Sequence, residues 1–337
     1  MTVAIIILNY NGLKDTLECL ESVHEIDYKD FEVIVIDNGS SIKPKEPILK
    51  RFPQTTVFEN EKNLGFAEGC NIGMRYALKK KIPYILLLNN DTVVNKNLLK
   101  NLVKAALEKK AGGIFGAKIL SYYEKDKIDN IGAYFSWQSG QFVCLGNGAH
   151  KDTDKFCQKQ QADYVCGGGF FIKSEVIEKI GLLENKFFLM WEEVDLCYRA
   201  KKEGFEIWTV PEALVWHKIS ASFVGGKIHS DYFWWRGRLL WAKRNLTPKE
   251  KRLLYRRFFL KEIFKVYKLK TLKTIELYLL KYLTNKSIKP RKVLKVLRYK
   301  AASQGIIDYF LGHFGKGPRW IENSKNTVFY HRFFNLR

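Results

Sequence analysis

The sequence predicts an α/β fold: a mostly parallel sheet flanked by helices, followed by a basic α-helical C-terminal region. Three observations carry this reading. From residue 3 onward, short apolar runs alternate with amphipathic stretches, as β-α-β crossovers do. The runs are apolar throughout rather than at every second residue, which is the pattern of strands buried on both faces. Charge changes abruptly along the chain: residues 1–230 hold 30 Lys and Arg against 29 Asp and Glu, and residues 231–337 hold 27 against 6. The formal net charge of +22 belongs almost wholly to the last third of the chain. The expected organisation is a near-neutral domain over 1–230, with halves at about 1–120 and 121–230, and a basic helical region over 231–337.

The elements follow in order. Thr2–Leu8 is a buried strand, stopped by Asn9-Tyr10-Asn11-Gly12. A helix over Leu13–His24 carries Leu17, Leu20 and Val23 on one face. Phe31–Ile36 is a second strand, ended by Asp37-Asn38-Gly39-Ser40-Ser41, and a weaker helix covers Pro47–Phe52. Thr55–Glu59 is a third strand, and Asn63-Leu64-Gly65-Phe66-Ala67 leads into a helix over Glu68–Lys80. The central strand, Tyr84–Leu88, stops at Asn89-Asn90-Asp91-Thr92. A helix over Asn97–Lys109 and a strand over Gly113–Leu120 come next. Residues 121–161, rich in Gly, Ser, Tyr and Trp, read as irregular β structure or a flexible loop. Gly167-Gly168-Gly169 precedes a strand ending near Lys173, and Ser174–Ile180 is a short helix. Phe187–Arg199 runs into a helix ending near Gly204, followed by a strand at Glu206–Val210 and the apolar run Ala213–His217.

Each strand of the first half ends in Asn, Asp or Gly, which points to a nucleotide-sized crevice at the carboxyl edge of the sheet. Asp91 either helps cap the helix that begins near Asn95 or faces a ligand in that crevice. The glycine triplet is a turn or bulge, or a place where backbone approaches a ligand closely. Glu192, Glu193 and Asp195 follow an aromatic run. They either complement a helix dipole or, crowded and desolvated beside Trp191 and Phe188, supply a general base. His217 gains meaning only if it faces Asp91. The six cysteines contain no C-x-x-C pair, which argues against a zinc site or a disulfide framework and fits a reducing, cytoplasmic setting. Val3–Leu8 is too short for the apolar core of a signal peptide, and no apolar run approaches the roughly 18 residues of a membrane span.

Four blocks recur together: Ile6–Asn11 with Val35–Ser40; Asn63–Ala67 with Gly69–Gly73; Leu87–Thr92; and Trp191–Arg199 with Val215-Trp216-His217 after it. In this order they resemble the family 2 glycosyltransferases over about residues 3–220, most closely the rhamnosyltransferase-like branch. That resemblance implies the GT-A fold, with its Rossmann-like sheet, and an inverting transfer of a sugar from a nucleoside diphosphate to a hydroxyl. It implies that Asp37 holds the base or ribose, with Asn9, Tyr10, Asn11, Asn38, Asn63, Gly65, Phe66, Asn71 and Asn90 on the nucleotide-sugar side. Asp91 matches the last carboxylate of the family's D-x-D element, which holds Mg²⁺ or Mn²⁺ on the diphosphate; Asn89 stands where a full D-x-D has Asp. His217 matches a further metal ligand of some members. Glu193 falls at the catalytic base. The family usually has Glu-Asp where this chain has Glu192-Glu193, so either carboxylate can serve. Gly168, Trp191, Glu192 and Asp195 fall on the acceptor side.

The expected donor is dTDP-rhamnose or a UDP-hexose, and the acceptor is a glycan or polyprenyl-linked glycan of surface polysaccharide synthesis. The alternatives are a catalytically inactive nucleotide-sugar-binding or membrane scaffold protein, and a sugar-nucleotide pyrophosphorylase. The latter needs a Gly-rich, Arg-containing loop where Asn9-Tyr10-Asn11-Gly12 stands.

The basic region reads as helices over Tyr232–Arg244, Pro248–Lys268, Thr271–Tyr282 and Pro290–Phe310. Leu253, Leu254, Phe258, Phe259, Ile263, Phe264 and Tyr267 are spaced for one helical face, with Lys and Arg between them. That pattern suits an anionic membrane surface, with the protein peripheral on its inner face. Alternatively, the apolar face packs on the catalytic domain. No RNP-type or zinc-finger motif accompanies the charge, so nucleic acid is not the expected partner.

Overall fold

The computed structural model describes residues 1–218, 226–284 and 290–322. The expected basic region over 323–337 lies outside the described residues. The chain divides into two compact units, residues 1–188 with 192–222, and residues 189–191 with 223–337.

The first unit opens with β1 (Val3–Asn9), α1 (Leu13–His24), β2 (Phe31–Asp37), α2 (Lys45–Arg51), β3 (Thr56–Glu59) and α3 (Gly65–Lys79). It continues through β4 (Tyr84–Asn89), β5 (Thr92–Val94), α4 (Leu98–Glu108) and β6 (Gly112–Ser121). Then come β7 (Ile128–Asn130), β8 (Ala133–Ser136), β9 (Gln141–Cys144), β10 (Phe170–Lys173), α5 (Ser174–Ile180), α6 (Glu192–Lys202) and β11 (Glu206–His217). The main sheet runs β3-β2-β1-β4-β10-β6-β11-β5, with β7 beside β6. Pairings among β1, β2, β3 and β4, and between β6 and β11, are parallel; β10 lies antiparallel between β4 and β6.

Strand alternation explains the two-sided core. Ile5, Ile7, Val33, Val35, Leu86 and Leu88 pack with α1 and α4 on one face. Ala4, Ile6, Ile34, Ile36, Ile85 and Leu87 pack with α3, α5 and α6 on the other. A one-residue slip of any of these strands would exchange the two sets.

The two expected apolar runs at 206–210 and 213–217 are one strand, β11, whose register against β6 shifts between Val210 and Leu214. Pro211 removes a ladder donor there, which accounts for the irregularity. The stretch read as irregular β structure or a flexible loop holds three short strands, of which β8 and β9 form a separate hairpin.

The second unit contains α7 (Gly226–Asn245), α8 (Pro248–Leu254), a π-helical turn (Tyr255–Phe259), α9 (Leu260–Thr284), α10 (Pro290–Leu311) and α11 (Arg319–Glu322). A capping box starts α8: Thr247 Oγ1 accepts from Glu250 N, and Thr247 N donates to Glu250 Oε2. The break expected near residue 270 is absent, because neither Gly nor Pro interrupts residues 260–284. The expected single apolar face is also split. Leu254 and Phe259 are buried, whereas Leu253 and Phe264 are exposed. The π turn inserts an extra residue and rotates the following helix relative to α8. Buried Arg238 pairs with Glu262, and Arg236 donates to the carbonyls of His313 and Gly315. No described helix is long and apolar enough to cross a membrane.

Candidate active site

β1, β2 and β4 end side by side because their registers are in phase: Asn9 lies opposite Asp37, and Leu8 opposite Asn89. Polar groups at the strand ends therefore collect along one edge of the sheet. Asn9 Nδ2 donates to Asp37 Oδ1 at 2.9 Å and Ser40 Oγ at 3.1 Å. Its Oδ1 accepts from Thr16 Oγ1 at 2.9 Å, and Asn90 Nδ2 donates to the same hydroxyl at 3.0 Å. Asp37 is fully buried, with Lys43 Nζ 3.6 Å from its Oδ2. Asn11 adopts φ 54°, which Asn tolerates, and its Oδ1 accepts from Ser41 N. Tyr10 is half-buried beside it.

The next loop is tied to the first. Asn38 Nδ2 donates to Asn63 Oδ1 at 3.0 Å and Gly65 O at 2.9 Å, and Asn38 Oδ1 accepts from Leu64 N. Gly65 has φ 87°, and a Cβ there would stand 2.5 Å from Phe188 O. That carbonyl accepts from Phe66 N, so the loop before α3 is docked on the segment leading to α6. Asn71 lies deeper in α3, clamping Leu183: its Nδ2 donates to Leu183 O and its Oδ1 accepts from Leu183 N.

Asp91 is buried in the corner between β4 and β5 and does not cap a helix; α4 begins at Leu98 with Asn97 at its cap. β11 pairs antiparallel with β5 and sets His217 opposite Thr92. His217 Nε2 lies 3.1 Å from Asp91 Oδ1 and 3.3 Å from Asn89 Nδ2. Lys218 N donates to Asp91 O, while its ammonium is held by Asp15 and Glu18 at 2.5 and 2.6 Å.

The glycine triplet forms one 3₁₀ turn ahead of β10. A Cβ on Gly167 would fall 2.1 Å from Glu193 Oε1, and one on Gly168 would fall 3.9 Å from Asn89 Nδ2. The turn bridges the two halves of the site. Hydrogen bonds link Asp37 through Asn9 and Thr16 to Asn90, the chain neighbour of Asp91; Asp91 meets His217, whose Nε2 lies 3.3 Å from Asn89, and at the glycine turn Gly167 stands against Glu193.

The acids that begin α6 follow a strained approach: Phe188, Met190 and Trp191 all adopt positive φ, at 59°, 67° and 77°. Burial and the Glu193 charge hold the Glu192 carboxyl well above the usual carboxylate range. Burial also raises Glu193, but the N–H groups of Glu193 and Gly167 and the Glu192 carboxyl stabilise its anion. These groups favour the charge on Glu193 over Glu192.

Two other expected acceptor residues have local partners. Asp195, fully buried, accepts from Arg199 Nε at 2.8 Å, and that guanidinium also donates to the carbonyls of Ile180 and Leu182. Trp191 groups with the helical unit, its ring 4.9 Å from Trp234 and 5.7 Å from Trp241.

Sequence reasoning passed over Thr16 and Ser40, whose hydroxyls join the Asn9–Asp37 network and lie close in sequence to those motifs. It also passed over Asp129 on β7. This half-buried carboxyl is raised by burial and lowered by the His217 charge, which places it near the imidazole. No motif marked it.

Asp91 and His217 offer one carboxylate oxygen and one imidazole nitrogen at a single point. Among the described residues no cluster of three or more His, Cys, Asp or Glu forms a protein-only metal cage. One carboxylate oxygen and one imidazole nitrogen together fit a divalent cation.

The glycosyl transferase family 2 pattern matches residues 4–181, more than half of the chain. The chain is 25% identical to Glycosyltransferase GlyG of Streptococcus pneumoniae over 173 residues, which cover 50% of this chain and 54% of that relative. It therefore spans about half the length of GlyG. It is 24% identical to the dTDP-rhamnosyl transferase RfbF of Shigella flexneri, covering 72% of this chain and 80% of that one. Among solved structures, the mannosyltransferase PcManGT of Pyrobaculum calidifontis, in complex with GDP-Man and Mn²⁺, superposes with a TM-score of 0.56 at 15% identity. That likeness covers 92% of this chain and 87% of PcManGT. Together with the sheet order, it gives the GT-A fold that the sequence implied. With the family pattern running from β1 through α5, the chain belongs to glycosyl transferase family 2.

Proposed function

We propose that the protein is a metal-dependent, inverting glycosyltransferase. In this reading it moves rhamnose or another hexose from a dTDP- or UDP-linked donor to a hydroxyl of a glycan or polyprenyl-linked glycan. It works at the inner face of the cell membrane, in surface polysaccharide synthesis. The observation that supports the reading is the gathering of Asn9, Asp37, Asn90, Asp91 and His217 along one edge of the sheet, with the Glu193 carboxylate against the glycine turn that precedes β10.

The nucleotide lies against Asn9, Asp37, Asn38 and the Asn63–Phe66 loop. Asp91 and His217 hold the cation, which when bound offsets charge on the leaving diphosphate. The acceptor hydroxyl lies at Glu193. Its oxygen bonds to the anomeric carbon as the bond to the diphosphate oxygen breaks, the electron pair leaves with the diphosphate, and the proton passes to Glu193. Attack from the face opposite the leaving group inverts the anomeric centre. Protonated Glu192 donates to Glu193 and orients it.

Glu193→Gln tests the reading. Transfer falls by about 10²–10⁴ in kcat, while affinity for the nucleoside diphosphate stays within about twofold. Glu192→Gln keeps a donor beside Glu193 and retains most of the activity. Full transfer by Glu193→Gln would remove the base assignment, and a loss confined to Glu192→Gln would exchange the two residues.

A further inference from the structure

The helical unit turns an apolar stripe toward solvent. Leu260, Phe264, Leu272, Ile275, Tyr278 and Leu279 of α9 are 57%, 69%, 50%, 49%, 72% and 53% exposed. At about 100° per residue, these positions fall within one arc of roughly 120°. The opposite side of α9 carries Val266, which is buried, and half-buried Glu262, Ile263 and Lys273. From Leu260 to Leu279 the stripe is about 28 Å long at 1.5 Å per residue.

Large aromatic and aliphatic side chains so exposed in a row mark an interaction surface. Its chemistry identifies the partner. Exposed Lys261, Lys265 and Lys268 lie on the same side as the stripe, and exposed Arg256 and Arg257 precede it in the π turn. Acids are scarce: Glu262 and Glu276 are the only ones in α9, and both form ion pairs, Glu262 with Arg238 and Glu276 with Lys273 and Lys292. A protein groove would meet the apolar groups but would need a dense acidic rim for the cations. A bilayer with anionic headgroups takes both, with apolar side chains at the acyl boundary and ammonium groups among the phosphates.

We infer that the α9 stripe from Leu260 to Leu279 is a membrane-docking face that lies in the plane of an anionic phospholipid surface. The inference rests on the exposed stripe and its charge, and would stand even if the transferase reading failed.

The test uses the full chain and vesicles of phosphatidylcholine with or without phosphatidylglycerol. The protein sediments with the anionic vesicles at low salt and is released from them as salt rises. Phe264→Glu with Ile275→Glu lowers the partition coefficient at least about tenfold. Far-ultraviolet circular dichroism and Tm of this variant match wild type and report that it is folded. Phe264→Trp adds indole fluorescence to that of the eight native tryptophans, and brominated acyl chains quench the added part. Equal partition of wild type and stripe variant overturns the inference, as does absence of binding to anionic vesicles. So does a wild-type dimer that the stripe variant converts to monomer, which would make a second copy the occupant.

Discussion

Glu192 and Glu193 show how adjacent side chains of one chemistry take different parts. Glu192 is 2% exposed, and its charged form lacks water; Glu193 meets the Gly167 N–H across the glycine turn. Burial raises both, and the backbone N–H groups at Glu193 and Gly167 favour the charge on Glu193. The raised Glu192 carboxyl has a consequence for stability. Below the ordinary value of 4.5 both folded and unfolded chains hold the proton, so it costs nothing. As pH rises past 4.5, the unfolded chain releases the proton and the folded chain keeps it, so stability falls. Glutamine imitates the protonated acid and does not titrate. Glu192→Gln therefore matches wild type in urea unfolding at pH 4. It exceeds wild type above that by up to about 1.4 kcal/mol per pH unit until the folded carboxyl ionises. Equal stability at pH 4 and pH 8 would contradict the buried, protonated state.

At the scale of elements, the glycine turn and the strand ends matter most. Gly167 is required by space rather than by φ, since its Cβ position is filled by a Glu193 carboxylate oxygen. That oxygen is the far end of a flexible side chain and can move away. Gly167→Ala therefore leaves thermal stability within about 1 kcal/mol of wild type and displaces the base, lowering kcat by about 10². A variant with full kcat would separate the turn from the base. The π turn is the second decisive element. One inserted residue sends Leu254 and Phe259 inward and leaves Phe264 in solvent, which creates the α9 stripe. Helical periodicity read straight through residues 253–267 merges the two faces into one, and this is why the sequence reading put buried Leu254 and Phe259 on the same face as exposed Phe264.

At the scale of the molecule, the site is assembled from parts distant along the chain. Asp91 and His217 are 126 residues apart and meet because β5 pairs with β11. A nucleoside diphosphate with Mn²⁺ at about 100 times its Kd raises Tm by roughly 5–10 °C. In Asp91→Asn the Mn²⁺-dependent part of that shift disappears, while the shift with nucleotide alone persists. An undiminished Mn²⁺ effect in Asp91→Asn would take the cation away from this corner.

The parallel half of the sheet was legible because Val3–Leu8, Phe31–Ile36 and Tyr84–Leu88 are continuous apolar runs cut by polar residues. That pattern fixes both strand and strand end. Asp37, Asp91 and Glu193 were legible as candidates because each stands in a block whose residue order is distinctive. Thr92–Val94 was not legible, since three residues carry no period of their own. Asp129 was hidden in a stretch without pattern.

By itself, then, the sequence determined the α/β class, the polar strand ends and the sharp division of charge at about residue 230, all properties of local order and composition. Only the tertiary structure decided which of the two adjacent acids is better placed to carry charge, that the expected His217 reaches Asp91, and which side of α9 faces water. Those depend on strand register, on desolvation and on the rotation of one helix after a single inserted residue, and such distances in space are written in no one segment of the chain.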